Sequence, residues 1–135
     1  MPAAFRSPSS NAPTGYTTYR GAGGRYGVLG PPRGNRARGT KFSSVSDGSS
    51  YTIFALETSD ELAVPWTKPD EGLDLATFDR QKIVVADFGG TAFTFTDGSI
   101  GFLDDSVDRK SIEHLMNMAD AIGASRAWLK FGITW

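Results

Sequence analysis

The alternation of apolar and polar positions is faint at the front of the chain and strong in its middle. Residues 1–15 are rich in Pro, Ser, Ala and Asn without any period. Such a stretch buries too little apolar surface to offset its ordering entropy, so a loose N-terminal arm is predicted. Tyr16 to Arg20 alternates aromatic residues with Thr in strand fashion, and Gly21, Gly23, Gly24 and Gly27 then predict a loop before Val28 and Leu29. Gly30 to Gly39 reads as a second loose stretch. Tyr51 to Leu56 is β-rich and apolar on both faces, as an interior strand is, and the segment from Phe42 to Ser50, with Asp47 and Gly48, reads as the turn that feeds it. Thr58 to Asp79, with Pro65, Trp66 and Pro69, predicts a long polar connection, and Ile83 to Ala86 a second buried strand.

Local signals are strongest from Thr91 to Leu103. Asp97-Gly98 is a preferred pair for a two-residue hairpin turn. That turn sets Phe95 against Ile100 and Phe93 against Phe102, placing every large apolar residue except Leu103 on one face. A helix is predicted next, with Asp108 as N-cap and Val107 and Ile112 as a hydrophobic staple. Ile112, Leu115, Met116, Ala119 and Ile122 form its apolar stripe, and Gly123 supplies its stop. The tail from Ala127 to Trp135 reads either as an edge strand or as a loose end. The fold class expected is therefore α+β: an antiparallel sheet with long N-terminal loops and a C-terminal helix packed on it, built from residues 16–135 as one domain behind the arm.

Composition narrows the chemistry. A chain of 135 residues holds one domain with a core of its own. The absence of Cys excludes disulfide frameworks, zinc ribbons, iron–sulfur ligation and thiol nucleophiles. No apolar run approaches the ~18 residues of a membrane span, and no secretory signal follows Met1. Charge is uneven: residues 1–50 carry seven basic side chains against Asp47 alone, a balance of +6, which leaves −7 for residues 51–135. The imbalance fits a basic segment docked on an acidic domain, attraction between copies, or an arm for nucleic acid.

The candidate chemistry is sparse. The glycines at 21, 23, 24 and 27 lack the spacing of phosphate-binding loops and read as loop residues. His114 is the only histidine and lies off the apolar stripe, as a surface residue does. Arg33, Arg36 and Arg38 stand among glycines but without interleaved aromatics, so no nucleic-acid partner is expected. Carboxylates remain: Glu57 and Asp87 at the ends of apolar strands, with Asp60, Asp97, Asp104 and Asp105. Turn, cap and surface roles account for Asp97, Asp104 and Asp108. Glu57 and Asp87 need partners of their own, because an acid that ends a buried strand is costly unpaired.

Several pieces fall in an order similar to that of one family. Phe5-Arg-Ser-Pro-Ser9 comes first, then Tyr16-Thr-Thr-Tyr-Arg-Gly-Ala-Gly23 and Asp47-Gly48-Ser-Ser-Tyr-Thr-Ile53 with Glu57. Ala63-Val-Pro65-Trp66-Thr-Lys-Pro69 and Phe93-Thr-Phe-Thr-Asp97-Gly98-Ser-Ile-Gly-Phe-Leu103 follow. Together they resemble the C-terminal globular part of pilin-like proteins with the prepilin-type processing-associated domain, named for a His, nine residues and Asp-Gly. Two positions depart: Asp87 stands where the family has His, and Ser7-Pro8-Ser9 where it usually has Cys-Pro-Ser. The resemblance implies a pilin-like head, an antiparallel sheet with large loops, preceded in the family by a processed leader and an apolar helix.

The function expected is that of a non-catalytic head domain of an envelope or filament-associated protein. It would act through protein–protein contacts, including contacts with its own copies, with no cofactor, metal or membrane insertion by this chain. Its place is the cell envelope if the chain is a fragment of an exported protein, and the cytoplasm if Met1 is the native start. The alternative is a small Ca²⁺- or glycan-binding module that uses Glu57, Asp60, Asp87 and an exposed Trp66.

Overall fold

The computed structural model describes residues 1–30, 40–68, 72–74, 76, 78–83 and 89–119. Its strands are β1 (Tyr16–Thr17), β2 (Tyr19–Gly23), β3 (Ile53–Glu57), β4 (Val64–Pro65) and β5 (Leu73–Asp74), followed after helix α1 (Arg80–Ile83) by β6 (Gly90–Phe95) and β7 (Ile100–Asp104). Helix α2 (Arg109–Met116) comes last. The fold is mixed α+β with two mostly antiparallel sheets and short helices. The larger sheet has the order β5-β2-β3-β6-β7, parallel only between β2 and β5, and β1 pairs with β4 in a separate ribbon.

One face of the larger sheet is the core. Leu56, Ile53, Phe93, Phe95 and Leu103 meet Ile112, Leu115 and Met116 of α2, with Leu73, Phe78 and Ile83 closing the side. Phe93 and Phe95 contact edge to face, centroids 4.8 Å apart at 87°. The opposite face is only partly covered: Ile100 on β7 is 55% exposed, and Phe54 on β3 is exposed as well.

The hairpin forms, but one residue out of the register predicted. Phe93 pairs with Gly101, Ala92 with Phe102 and Thr94 with Ile100, so Leu103 is buried while Phe102 and Ile100 turn to the other face. Two contacts account for the slip. The backbone N–H and Oγ1 of Thr96 both donate to the Thr52 carbonyl at 2.9 Å, which draws Thr96 out of β6 and lengthens the loop to three residues, with Gly98 at φ +86°. In addition Gly101 lies under the Phe93 ring, which any Cβ there would strike.

Three further expectations change. Gly21 and Gly23 lie inside β2 rather than in a loop, and the Leu29 N–H folds back to the Ala22 carbonyl at 2.9 Å, so Leu29 covers the space that a side chain at 21 would fill. β3 is interior in strand order yet not buried on both faces, because a register shift between Ile53 and Ala55 leaves Phe54 outside. Ile83 ends α1 instead of starting a strand, and residues 84–86 lie outside the described residues.

Asp108 caps α2 as predicted: its Oδ1 accepts from the Ser111 N–H at 3.0 Å and its Oδ2 from the Ser111 hydroxyl at 2.8 Å. Val107 and Ile112 share the core, in keeping with the staple. The helix stops at Met116, short of Ile122. Met118 donates to the Tyr26 carbonyl and accepts from the Ser46 N–H, each at 3.0 Å, and buries its side chain with Val28 and Val45. These bonds hold the chain extended, and Ala119 is exposed rather than part of the stripe. Ile122, Gly123 and the tail 127–135 lie outside the described residues.

The Ser111 hydrogen bonds hold the Asp108 carboxyl below its ordinary pKa. A depressed acid stabilises above its unfolded value, near 3.9, and that contribution disappears as pH falls through the folded value. Asp108→Ala is therefore expected to lower the thermal midpoint at pH 7, by a margin that narrows below about pH 4. Asp108→Asn, which keeps an acceptor, should lose less. Melts followed by circular dichroism across pH check both.

Candidate functional site

The site is built on the outer face of the sheet, at the end of β3. Tyr19 pairs with Glu57 across β2 and β3, Ala92 with Phe102 across β6 and β7, and the Leu56–Phe93 pair sets Glu57 beside Ala92. The result is one cross-strand row, Tyr19, Glu57, Ala92, Phe102. The Glu57 carbonyl accepts from the Thr91 hydroxyl, which fixes the strand end that carries the carboxylate.

Residues 1–15, expected as a loose arm, lie across this row. The Ser7 hydroxyl, 2% exposed, donates to Glu57 Oε1, the Ser9 hydroxyl reaches the same oxygen at 3.3 Å, and the two hydroxyls are 2.8 Å apart. Asp60 holds the next turn of the arm, accepting from the Asn11 N–H at 2.8 Å and from the Ser10 hydroxyl. The Phe5 ring packs on Trp66 with centroids 5.6 Å apart, and the backbone N–H of Trp66 donates to the Gly15 carbonyl at 3.0 Å. β1 then pairs Tyr16 with Pro65 and Thr17 with Val64. The arm is thus tied at four places, and its polar bonds offset the apolar burial it lacks.

A cavity of about 230 Å³ remains between the strap and the sheet, walled by Pro8, Gly90, Ala92 and Phe102, with Glu57 and the serines at one end. Tyr19 flanks that end. Burial, and after it the Glu57 charge, push its phenol above the ordinary pKa, and a hydrogen bond with Ser7 opposes them. A phenol whose folded pKa is raised contributes stability that is complete below its unfolded value, near 10, and is lost as pH rises through the folded value. Alkaline unfolding above about pH 10 should accordingly be less steep in Tyr19→Phe than in the parent. Denaturant midpoints at stepped pH values measure it.

The other predicted positions do not join this cluster. Gly48, at φ +98°, turns the chain after Asp47, and its carbonyl accepts from the Tyr51 N–H and the Thr52 hydroxyl. Asp97 accepts from the Ser99 N–H at 2.9 Å beside Gly98, Asp104 accepts from the Ser106 N–H at 2.8 Å, and Asp105 is exposed. His114 is half-buried in the last turn of α2. Asp87, Arg33, Arg36 and Arg38 lie outside the described residues. Among the described residues no three acids or histidines are grouped to hold a metal ion.

Ser7, Ser9 and Tyr19 are the residues that sequence reasoning did not assign to the site. The one available signal was Glu57 itself, an acid ending an apolar strand and in need of donors. Nothing in a Ser- and Pro-rich arm marks which hydroxyl will supply them. In the arrangement seen, hydroxyls and backbone N–H groups satisfy Glu57 and Asp60, so the two carboxylates act as anchor points for the arm. No family model, curated protein or solved structure matches this chain.

Proposed function

We propose that the chain is the non-catalytic head domain of a pilin-like envelope or filament-associated protein, working through protein–protein contacts. The clasp formed where Glu57, Asp60 and Trp66 hold the N-terminal arm carries this reading. The Phe5–Ser9, Tyr16–Gly23, Glu57 and Val64–Trp66 pieces on which the resemblance rests are distant in sequence yet bond to one another, as parts of one scaffold do. Its carboxylates are engaged by the protein itself, in support of a holding role over a chemical one. On this reading the larger sheet is the sheet of a type IV pilin-like head, with α2 on its core side. Ile100 on the edge strand β7 and Phe54 on β3 are exposed apolar side chains of the kind protein contacts use.

Sedimentation of the chain against Ile100→Lys tests the reading. Association that grows with concentration and weakens at least tenfold in the variant is expected. A mass of one chain up to about 1 mM, or substrate turnover lost in Glu57→Gln, counts against it. The Ca²⁺ module on strand-end carboxylates ranks behind, because a cation at Glu57 or Asp60 must displace Ser7 or Ser10.

A further inference from the structure

The larger sheet ends on one side in β5, two residues long, and on the other in β7, five residues long. Open main-chain groups on an edge template further pairing, and edges of some length are therefore blunted by a bulge, a proline or a lysine. β7 carries none of these: its ladder with β6 runs without a register shift, and its sequence is Ile-Gly-Phe-Leu-Asp. We propose that β7 pairs antiparallel with β7 of a second copy of this chain, about a twofold axis at Gly101. The inference rests on the reading of this chain as one that works through protein contacts, and it names the contact.

Hydrogen-bond parity in the hairpin carries it. The Phe95 N–H donates to the Ser99 carbonyl at 2.8 Å, and the Asp105 N–H to the Gly89 carbonyl at 2.9 Å. Phe93 opposite Gly101 and Thr91 opposite Leu103 lie between these two pairs, so the odd-numbered residues of β7 turn their main chain toward β6. Ile100, Phe102 and Asp104 turn theirs outward. The Asp104 carbonyl is taken by the Val107 N–H at 3.1 Å. Ile100 and Phe102 together keep two outward N–H and two outward C=O groups, none of them bonded among the described residues.

Two donors and two acceptors at this spacing are complementary to themselves. An antiparallel copy that sets Ile100 opposite Phe102 exchanges both bonds of each pair, four in all, and a second copy brings the matching groups by symmetry. Shifting the copy to set Phe102 opposite itself would call on the Asp104 carbonyl, which is occupied. The side chains agree with the first register. Ile100, 55% exposed, and the half-buried Phe102 share the outer face, so a β-branched residue meets an aromatic ring on each side of the axis. At the axis Gly101 faces Gly101, and no side chain stands between the strands where they come closest.

Area and charge set the strength. Five residues a side bury less than the roughly 1,000 Å² of a lasting interface, so the pair is weak, with a Kd on the order of 0.1–1 mM. Asp97 ahead of β7 and Asp104 and Asp105 at its end approach their counterparts in the copy, and added salt should therefore strengthen the pair. Attraction between the basic front and the acidic remainder of two chains would respond to salt in the opposite sense.

Amide hydrogen exchange of the ¹⁵N-labelled chain at about 0.05 and 2 mM tests the pairing. Exchange at Ile100 and Phe102 is expected to slow about twofold or more at the higher concentration, while Gly101 and Leu103, already bonded to β6, stay as they are. In a mixture of ¹³C-labelled and unlabelled chain, isotope-filtered contacts should join the Ile100 methyls of one copy to the Phe102 ring of the other. Ile100→Pro keeps an apolar side chain but removes the outward N–H, a change that an edge strand accepts, and should weaken association at least tenfold. Protected Gly101 and Leu103 amides show that its hairpin is intact, and the exchange pattern of the parent decides without it. Slowing spread evenly along β7, no slowing at Ile100 and Phe102, association kept in Ile100→Pro, or association weakened by salt overturns the pairing. Association that survives Ile100→Pro yet is lost in Ile100→Lys leaves the pilin-like reading standing, whereas a chain that stays single at about 2 mM removes both.

Discussion

Phe93→Ala is expected to destabilise the fold by about 3–5 kcal/mol, a large share of the ~5–15 kcal/mol that holds a domain of this size together. Phe93 is 3% exposed, stands edge to face with Phe95 and fills the space that Gly101 leaves beneath it. The vacated volume cannot collapse easily, since Leu56 beside it is bonded into β3 and Leu103 is pinned in β7. Phe102→Ala, by contrast, truncates a half-buried ring on the outer face and should cost about 1 kcal/mol. The difference also tests the register. In a two-residue Asp97-Gly98 turn the two rings face each other, and the two truncations would cost alike. Urea unfolding of both variants, with unchanged m-values, decides it.

That one-residue slip shows where sequence reading stops. The existence of β6, β7 and α2, the Asp108 cap and the core positions Ile112, Leu115 and Met116 all follow from spacing and cap chemistry, which act within one or two turns of chain. The register does not. It is decided by Thr96 bonding to Thr52, a residue 44 positions away. The same holds for the end of α2, set by Met118 meeting Tyr26 and Ser46, and for the strand character of Gly21 and Gly23, which depends on pairing with Ala55 and Asp74. The candidate site divides in the same way. An acid ending an apolar strand announces that Glu57 has donors, whereas the identity of Ser7 and Ser9 depends on how an aperiodic arm is laid over the sheet.

Glu57→Ala should release that arm. Ser7 sits 2% exposed with its hydroxyl on the carboxylate, and Ser9 shares the same oxygen. Removing the acceptor leaves buried hydroxyls to be satisfied elsewhere or hydrated, at a cost of about 2–3 kcal/mol for bonds made to a charged group. The loss falls mainly on residues 1–15, because the core on the far face touches neither serine. Opening is therefore local: the exposed Arg6, next to Ser7 in the chain, should be cut by trypsin at least tenfold faster in the variant, while the urea midpoint of the sheet moves less. Glu57→Gln retains an amide oxygen to accept from Ser7 and should fall between parent and Ala variant. It also removes the second cause of the raised Tyr19 phenol, leaving burial alone, so the Tyr19 titration should move back toward its ordinary value in both variants. Equal cleavage at Arg6 in all three proteins would mean that the clasp is not what holds the arm.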